Sequence, residues 1–431
     1  MTATPSAPSS TPPDTHSDAA TRPFDWYRSL PKPGRRAFLG AFGGYGLDAY
    51  DFQVLPLGLT AIAAYFHLSK GESGLLTTVT LVVSALGGIL AGALIDRIGR
   101  SRTLMITIGT YALFTALCGF ASSYPMLMTF RALQGLGFGG EWAAGAVLVA
   151  EYASTRYRGR TVAFVQASWA VGWGLAVIVA TISLDHLSGG LSWRVLFWTG
   201  ALPGLLLFFL RRGVQDAPNP AAQATAQAKP PRTPISEVFR GRLGRITLFA
   251  SLMATGVQGG YYTIATWLPT YLKEERHLTI VGTGSYLALL IGGAFLGYLC
   301  GGYVTDWLGR RKAIGLFGIL SGAILFSYIH IPAADNHVLL VLGFPLGFCF
   351  SAIFSGFGSY LAELYPRDVR GTGQSFTYNV GRAVGAFFPT AVGFEAGSKG
   401  LGDALVYGTV GYALAILALF GLPETRQIEL L

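Results

Sequence analysis

Five charged residues stand in stretches of sequence that otherwise carry almost none: Asp48, Asp51, Arg131, Glu141 and Arg382. A charge in an apolar segment costs at least a few kcal/mol near the centre of a bilayer, so each is a candidate for chemistry. Asp48 and Asp51 are three residues apart, which on a helix places them on one face. Two carboxylates so placed repel, and a low dielectric further disfavours two negative charges. The pair is therefore suited to hold a proton that can move, with Glu141 a third acidic candidate. Arg382 stays charged when buried, and its planar fork donates two parallel hydrogen bonds to a carboxylate. Asn379, three residues earlier, could hydrogen-bond a second oxygen. Arg131, Gln134, Gln258 and Tyr261 complete the set able to contact a small anion. No Ser/His/Asp set, metal cluster or phosphate loop accompanies them, so neither a catalyst of covalent chemistry nor a bound cofactor is expected. The run Gly135-x-Gly137-x-Gly139-Gly140 follows no strand and reads as close helix packing.

The elements that must position these residues follow from composition. In 431 residues, hydrophobic side chains make up 52% and charged ones 12%, with a mean hydropathy of +0.48. A water-facing surface needs more charge than that, so most of the surface must face lipid. Residues Met1 to about Phe24 lack the apolar core of a signal peptide and read as disordered. Twelve apolar runs follow, each long enough for the ~20-residue helix that crosses a bilayer. They divide the chain into a tail (1–36), a six-helix bundle (37–212), a polar cytoplasmic loop (213–244), a second bundle (245–422) and a C-terminal tail (423–431). With the N-terminus inside, Lys70, Arg194, Lys273, Arg276 and Lys399 lie outside and Arg131 and Arg382 lie within helices. The rest of the 31 basic residues are cytoplasmic. The net charge of +9 is thus positive-inside bias, and nucleic-acid binding is not expected.

The halves repeat. Gly92-x3-Asp96-Arg97-x-Gly99-Arg100-x-Arg102 after the second helix returns as Gly302-x3-Asp306-x2-Gly309-Arg310-x-Lys312 after the eighth. Glu151-x6-Arg158-Gly159 returns as Glu363-x6-Arg370-Gly371. Asp306 follows Asp96 by 210 residues and Glu363 follows Glu151 by 212, which chance explains poorly. Duplicated six-helix units are a common construction of alternating-access transporters. Charge-assisted bonds from Asp96 or Asp306 to helix ends or arginines of the other half would stabilise one access state, which makes these loops candidate gates.

The doubled loop resembles the signature of the major facilitator superfamily, over about residues 37–422. Arg131-Ala-Leu-Gln134-Gly135-Leu-Gly137 is similar to that superfamily's second motif. The continuation through Glu141-Trp142 resembles the organic-acid symporters, especially the sialate/lactate and metabolite:proton branches. Asp48-Ala-Tyr-Asp51-Phe52 is similar to these and to the aromatic-acid:proton symporters, and Tyr378-Asn379-Val-Gly381-Arg382 fits the same group. The fifth span has no proline and so lacks the motif of drug:proton antiporters. The resemblance implies an all-α membrane protein of twelve transmembrane helices in two pseudo-repeated bundles. It also implies a monomer working in a bacterial inner membrane with both termini cytoplasmic.

Depth supports the same reading. At about 1.5 Å rise per residue, Asp48 lies roughly 16 Å, and Glu141 and Arg382 roughly 15 Å, from the cytoplasmic helix ends. Three charges from three helices therefore share one level near the midplane, where a facilitator's cavity would hold its substrate. The expected function is proton-coupled uptake of a small organic-acid anion. The alternatives are a carrier of sugars or other neutral solutes, or an exporter. A sugar carrier has less use for a buried arginine and three acidic groups.

Overall fold

The structure, a computed structural model, describes residues 25–98, 100–152, 158–211, 235–332, 335–366 and 368–426. Gly99 lies outside the described residues, as do the side chains of Asp96, Arg97, Arg100, Glu141, Glu151 and Arg158. In chain order the long helices are α1 (Lys32–Phe66), α2 (Lys70–Ile98), α3 (Arg100–Cys118), α4 (Tyr124–Tyr152), α5 (Arg158–His186) and α6 (Gly190–Arg211). The second set is α7 (Gly241–Glu274), α8 (Ile280–Leu308), α9 (Arg310–His330) and α10 (Asn336–Glu363). It ends with α11 (Arg370–Gly385, resuming as Phe387–Lys399) and α12 (Leu401–Ala404, resuming as Val406–Leu419). These are twelve transmembrane helices.

Among the described residues six helices, α2, α5, α8, α9, α10 and α12, are long and apolar enough to cross a bilayer on that criterion alone. Helices α1 and α11 carry intramembrane charges, which lower their mean hydropathy. Helix α7 is buried from Met253 through Leu272 without interruption, so it needs no lipid-facing apolar stripe.

The sequence repeat is also a packing repeat. In the first half α1 packs on α5 and α6, α2 on α4, and α3 on α4 and α6. In the second half the same contacts recur six helices on: α7 on α11 and α12, α8 on α10, and α9 on α10 and α12. The halves meet through α2 with α11, α5 with α8, and α1 with α7. At the end away from the chain termini this seam is tight. The Thr78 hydroxyl lies 2.6 Å from both the Ala386 carbonyl and the Thr390 hydroxyl, and Lys70 pairs with Glu274 at 3.4 Å. A Cβ at Gly74 would stand 2.6 Å from the Pro389 carbonyl oxygen, so only glycine admits α11 this close to α2.

One segment differs from the sequence reading, which treats residues 1–36 as a tail. Asp25–Arg28 forms a helical turn and α1 begins at Lys32. Trp26 is buried against Phe38 and stacks on Phe164 at 4.6 Å, because a large aromatic just ahead of a helix gains more by packing than by solvation.

Candidate functional site

A cavity with about 520 Å³ of space, including that open to its surroundings, lies at the seam, walled by both halves. Tyr45, Asp48 and Phe52 of α1, Phe138 of α4 and Trp169 of α5 come from the first half. The second half adds Gln258, Tyr261 and Tyr262 of α7, Tyr298 of α8 and Phe354 of α10, with Tyr378 and Arg382 of α11. Asp48 and Arg382 are the charged members among the described residues, and both are buried.

Arg382 is held by aromatics. Its guanidinium carbon lies 5.0 Å from the Tyr378 ring centre and 5.6 Å from that of Phe138. Nη2 donates a long bond of 3.3 Å to the Tyr378 hydroxyl, while Nε and Nη1 have no hydrogen-bond partner among the described residues. Cation–π contacts hold the cation without consuming its donors. The fork is therefore left to bind an acceptor. Gln258 is held at both ends: its amide nitrogen donates to the Tyr378 carbonyl at 3.0 Å and its oxygen accepts from the Tyr262 hydroxyl at 3.0 Å. Trp169 Nε1 donates to the Tyr261 hydroxyl at 2.6 Å, a bond that crosses between the halves.

The structure separates residues that the sequence groups together. Asp51 is turned into the first bundle, where Thr115 donates to its Oδ2 at 3.0 Å. Gln134 donates to the Thr115 hydroxyl at 2.8 Å, and Arg131 Nη1 donates to the Gln134 oxygen at 2.6 Å. Asp51, Thr115, Gln134 and Arg131 thus form one buried relay joining α1, α3 and α4, off the cavity wall. Arg131 and Gln134, expected to contact substrate, are not among the residues that line this cavity. Asn379 also leaves the cavity. Its amide nitrogen donates to the Ser375 carbonyl at 2.9 Å, and its oxygen lies 3.0 Å from where a Cβ on Gly88 of α2 would stand.

Helix geometry accounts for both separations. At about 100° per residue, Phe52 and Tyr45 fall on one side of Asp48 and Asp51 falls about 60° away on the other. Likewise Tyr378 and Asn379 flank Arg382 on opposite sides. Of the aromatic lining, Phe52 and Tyr378 lie inside the resemblance motifs, but no wall role is expected of them, or of Tyr45, Phe138, Tyr298 and Phe354, from sequence. The spacings Tyr45-x2-Asp48-x3-Phe52 and Tyr378-x3-Arg382, aromatics one turn from a charge, were the available signal.

Among the described residues, the charges of the loop after α8 pair within the second half. Arg310 pairs with Asp306 at 3.1 Å and with the buried Glu363 of α10 at 3.2 Å. Glu363 also accepts from Thr425 at 2.5 Å, and Glu424 accepts from the Arg310 backbone N–H at 2.9 Å. Arg370 reaches the Tyr365 carbonyl at 3.5 Å. Gly309 has φ +99°, and a Cβ there would stand 2.7 Å from the Glu424 carboxylate, which explains the glycine of the loop motif. Arg310→Ala strands Glu363 with one hydroxyl. It should cost about 2 kcal/mol, below the usual range for a buried pair because Arg310 is partly solvated. A lowered melting temperature in detergent, largely restored by adding Glu363→Gln, is the expected result; no change in melting temperature would reduce the pair to a surface contact.

Twelve membrane-spanning helices in two repeated halves, enclosing a polar and aromatic cavity at their seam, define a multi-pass membrane transporter of small molecules. The sequence model of the Major Facilitator Superfamily matches residues 41–389, and the chain belongs to that superfamily. It is 38% identical over 411 residues, 94% of each chain, to a probable 4-methylmuconolactone transporter of Cupriavidus pinatubonensis. It is 32% identical over 399 residues, 89% of this chain and 93% of the other, to a cis,cis-muconate transport protein of Acinetobacter baylyi. Among solved structures, the D-xylose–proton symporter shares the fold with a TM-score of 0.72 at 18% identity, covering 92% of this chain and 99% of that one. The family and these relatives are transporters, not enzymes.

Proposed function

We propose that the protein is a proton-coupled importer of a small, planar organic-acid anion, working by alternating access. The observation that carries this is the guanidinium of Arg382, with two donor nitrogens uncommitted among the described residues, inside a cavity otherwise lined mainly by aromatic rings. A planar fork selects a carboxylate. Aromatic walls favour a flat, conjugated body over a hydroxyl-rich one, since offset stacking and edge contacts add to apolar burial. Two relatives are named for cis,cis-muconate, an unsaturated dicarboxylate, and for 4-methylmuconolactone, the lactone of a methylated one, which agrees with that shape.

Proton coupling follows from charge balance. A carboxylate entering beside an ionised Asp48 brings two negative charges to one guanidinium in a low dielectric. Protonation of an acidic group restores neutrality, so anion and proton are favoured together. Asp51 is the group we assign to carry the transported proton. It lies off the cavity wall, where substrate cannot displace it, and its Oδ1 has no hydrogen-bond partner among the described residues. The loops around Asp96 and Asp306 act as cytoplasmic gates in this reading.

The test is uptake into proteoliposomes under an inward pH gradient, with cis,cis-muconate, benzoate, lactate and xylose offered separately. Muconate or benzoate should accumulate and xylose should not. Trp169→Ala removes an aromatic wall and the bond to Tyr261, and should raise KM about tenfold for benzoate but much less for lactate. Accumulation of xylose in place of the acids would refute the proposal in favour of a neutral-solute carrier.

A further inference from the structure

Two clefts open at the seam of the halves, near the end away from the termini. The larger, about 1210 Å³, is a trough between α5 and α8 whose walls include Val171, Gly174, Ile178, Val281, Ala288 and Gly292. Its rim is apolar and exposed, with Ile178 at 56% and Val281 at 54%. The smaller, a narrow cleft with about 400 Å³ of space when that open to its surroundings is included, lies among α1, α5, α7 and α8 and is bordered by Thr60, Pro269, Lys273 and Thr283. Val177, Thr181 and Gly284 border both, so the two are continuous.

The smaller cleft holds polar groups with nothing to bind. Lys273 makes no ion pair among the described residues; the adjacent Glu274 pairs with Lys70. The Thr283 hydroxyl is 9% exposed as a residue and has no hydrogen-bond partner. A buried unpartnered hydroxyl beside an uncommitted cation calls for an anion with acceptor oxygens. The trough beyond faces the hydrocarbon of the bilayer, where water cannot stably fill an apolar groove. One molecule satisfies both parts: an anionic head joined to an acyl chain. A small organic acid would occupy the head region and leave the trough empty.

We propose that this composite cleft is a binding site for an anionic phospholipid of the leaflet away from the termini, with its headgroup at Lys273 and Thr283 and an acyl chain in the α5–α8 trough. The walls belong to both halves, α1 and α5 from one and α7 and α8 from the other. The site therefore exists only while the seam is closed at this end. A lipid bound there stabilises that state of the transport cycle, by as much as it prefers it.

The test uses the full-length transporter, delipidated in detergent and titrated with phosphatidylglycerol or phosphatidylcholine of identical acyl chains. Melting temperature and lipid retention in native mass spectrometry are both measured. Saturating phosphatidylglycerol should raise the melting temperature by about 3 °C, and phosphatidylcholine by less than half of that. Lys273→Ala should weaken phosphatidylglycerol binding roughly fivefold and leave phosphatidylcholine unaffected. No atom lies within 4 Å of a Cβ placed on Gly292, which borders the trough, so Gly292→Phe directs a ring into the trough from open space and should lose both lipids. Melting curves without lipid establish that both variants are folded. Equal stabilisation by the two lipids, or undiminished retention in Gly292→Phe, would overturn the proposal. Stabilisation by benzoate that disappears in Lys273→Ala would overturn it too, by making the cleft a second organic-acid site.

Discussion

Arg382→Ala should abolish uptake of the acid anion while the protein still inserts and folds. The residue makes one long hydrogen bond, to Tyr378, and packs against the Tyr378 and Phe138 rings, so its removal leaves mainly a void. The loss falls on binding. Two charge-assisted hydrogen bonds to a carboxylate in a buried site contribute about 3 kcal/mol between them, roughly 150-fold in Kd. Arg382→Lys keeps the charge and loses the fork, and should fall between, with affinity weakened about tenfold. Binding measured by calorimetry on purified protein separates this from any effect on turnover. The competing view is a structural ion pair with an acid elsewhere in the bundle. It predicts poor expression of the Ala variant and rescue when that acid is neutralised. A well-folded Arg382→Ala that binds the anion with unchanged affinity would show that the carboxylate sits elsewhere.

Asp51→Asn should separate transport from its driving force. Asparagine keeps the shape and the acceptor that Thr115 needs, so the relay through Gln134 to Arg131 can persist. What it lacks is a group that takes up and releases a proton. With one proton coupled, an inward gradient of one pH unit drives about tenfold accumulation. The variant should show no accumulation above equilibration. Counterflow exchange of labelled for unlabelled acid needs no net proton movement and should proceed at close to the normal rate, with little dependence on pH. Asp48→Asn is the informative companion. It removes a negative charge from the cavity itself, so it should tighten anion binding at neutral pH, where the normal protein must first take up a proton. Undiminished gradient-driven accumulation in Asp51→Asn would move the proton site to Asp48 or Glu141, and the same pair of assays on each would decide between them.

Local rules carried much of this protein. Span length, basic-residue bias and the 210-residue recurrence of Asp96 at Asp306 specify twelve helices in two equivalent halves, because hydrophobic length and loop charge act segment by segment. Depth was legible too. Counting residues from a helix end places Asp48 and Arg382 at one level, and the cavity lies between them. Rotation about each helix axis was not legible, since it is set by which neighbours pack against which face. That rotation turned Asp48 to the cavity and Asp51 into the relay with Arg131, though the two are a single turn apart. It likewise pointed Arg382 inward and Asn379 against Gly88. The partner of Asp306 was hidden for a related reason: whether a loop charge bonds within its own half or across the seam depends on how the halves are tilted. Along the axis a helix is a ruler that sequence can read; around the axis, only packing with the other helices determines which side chain meets the substrate.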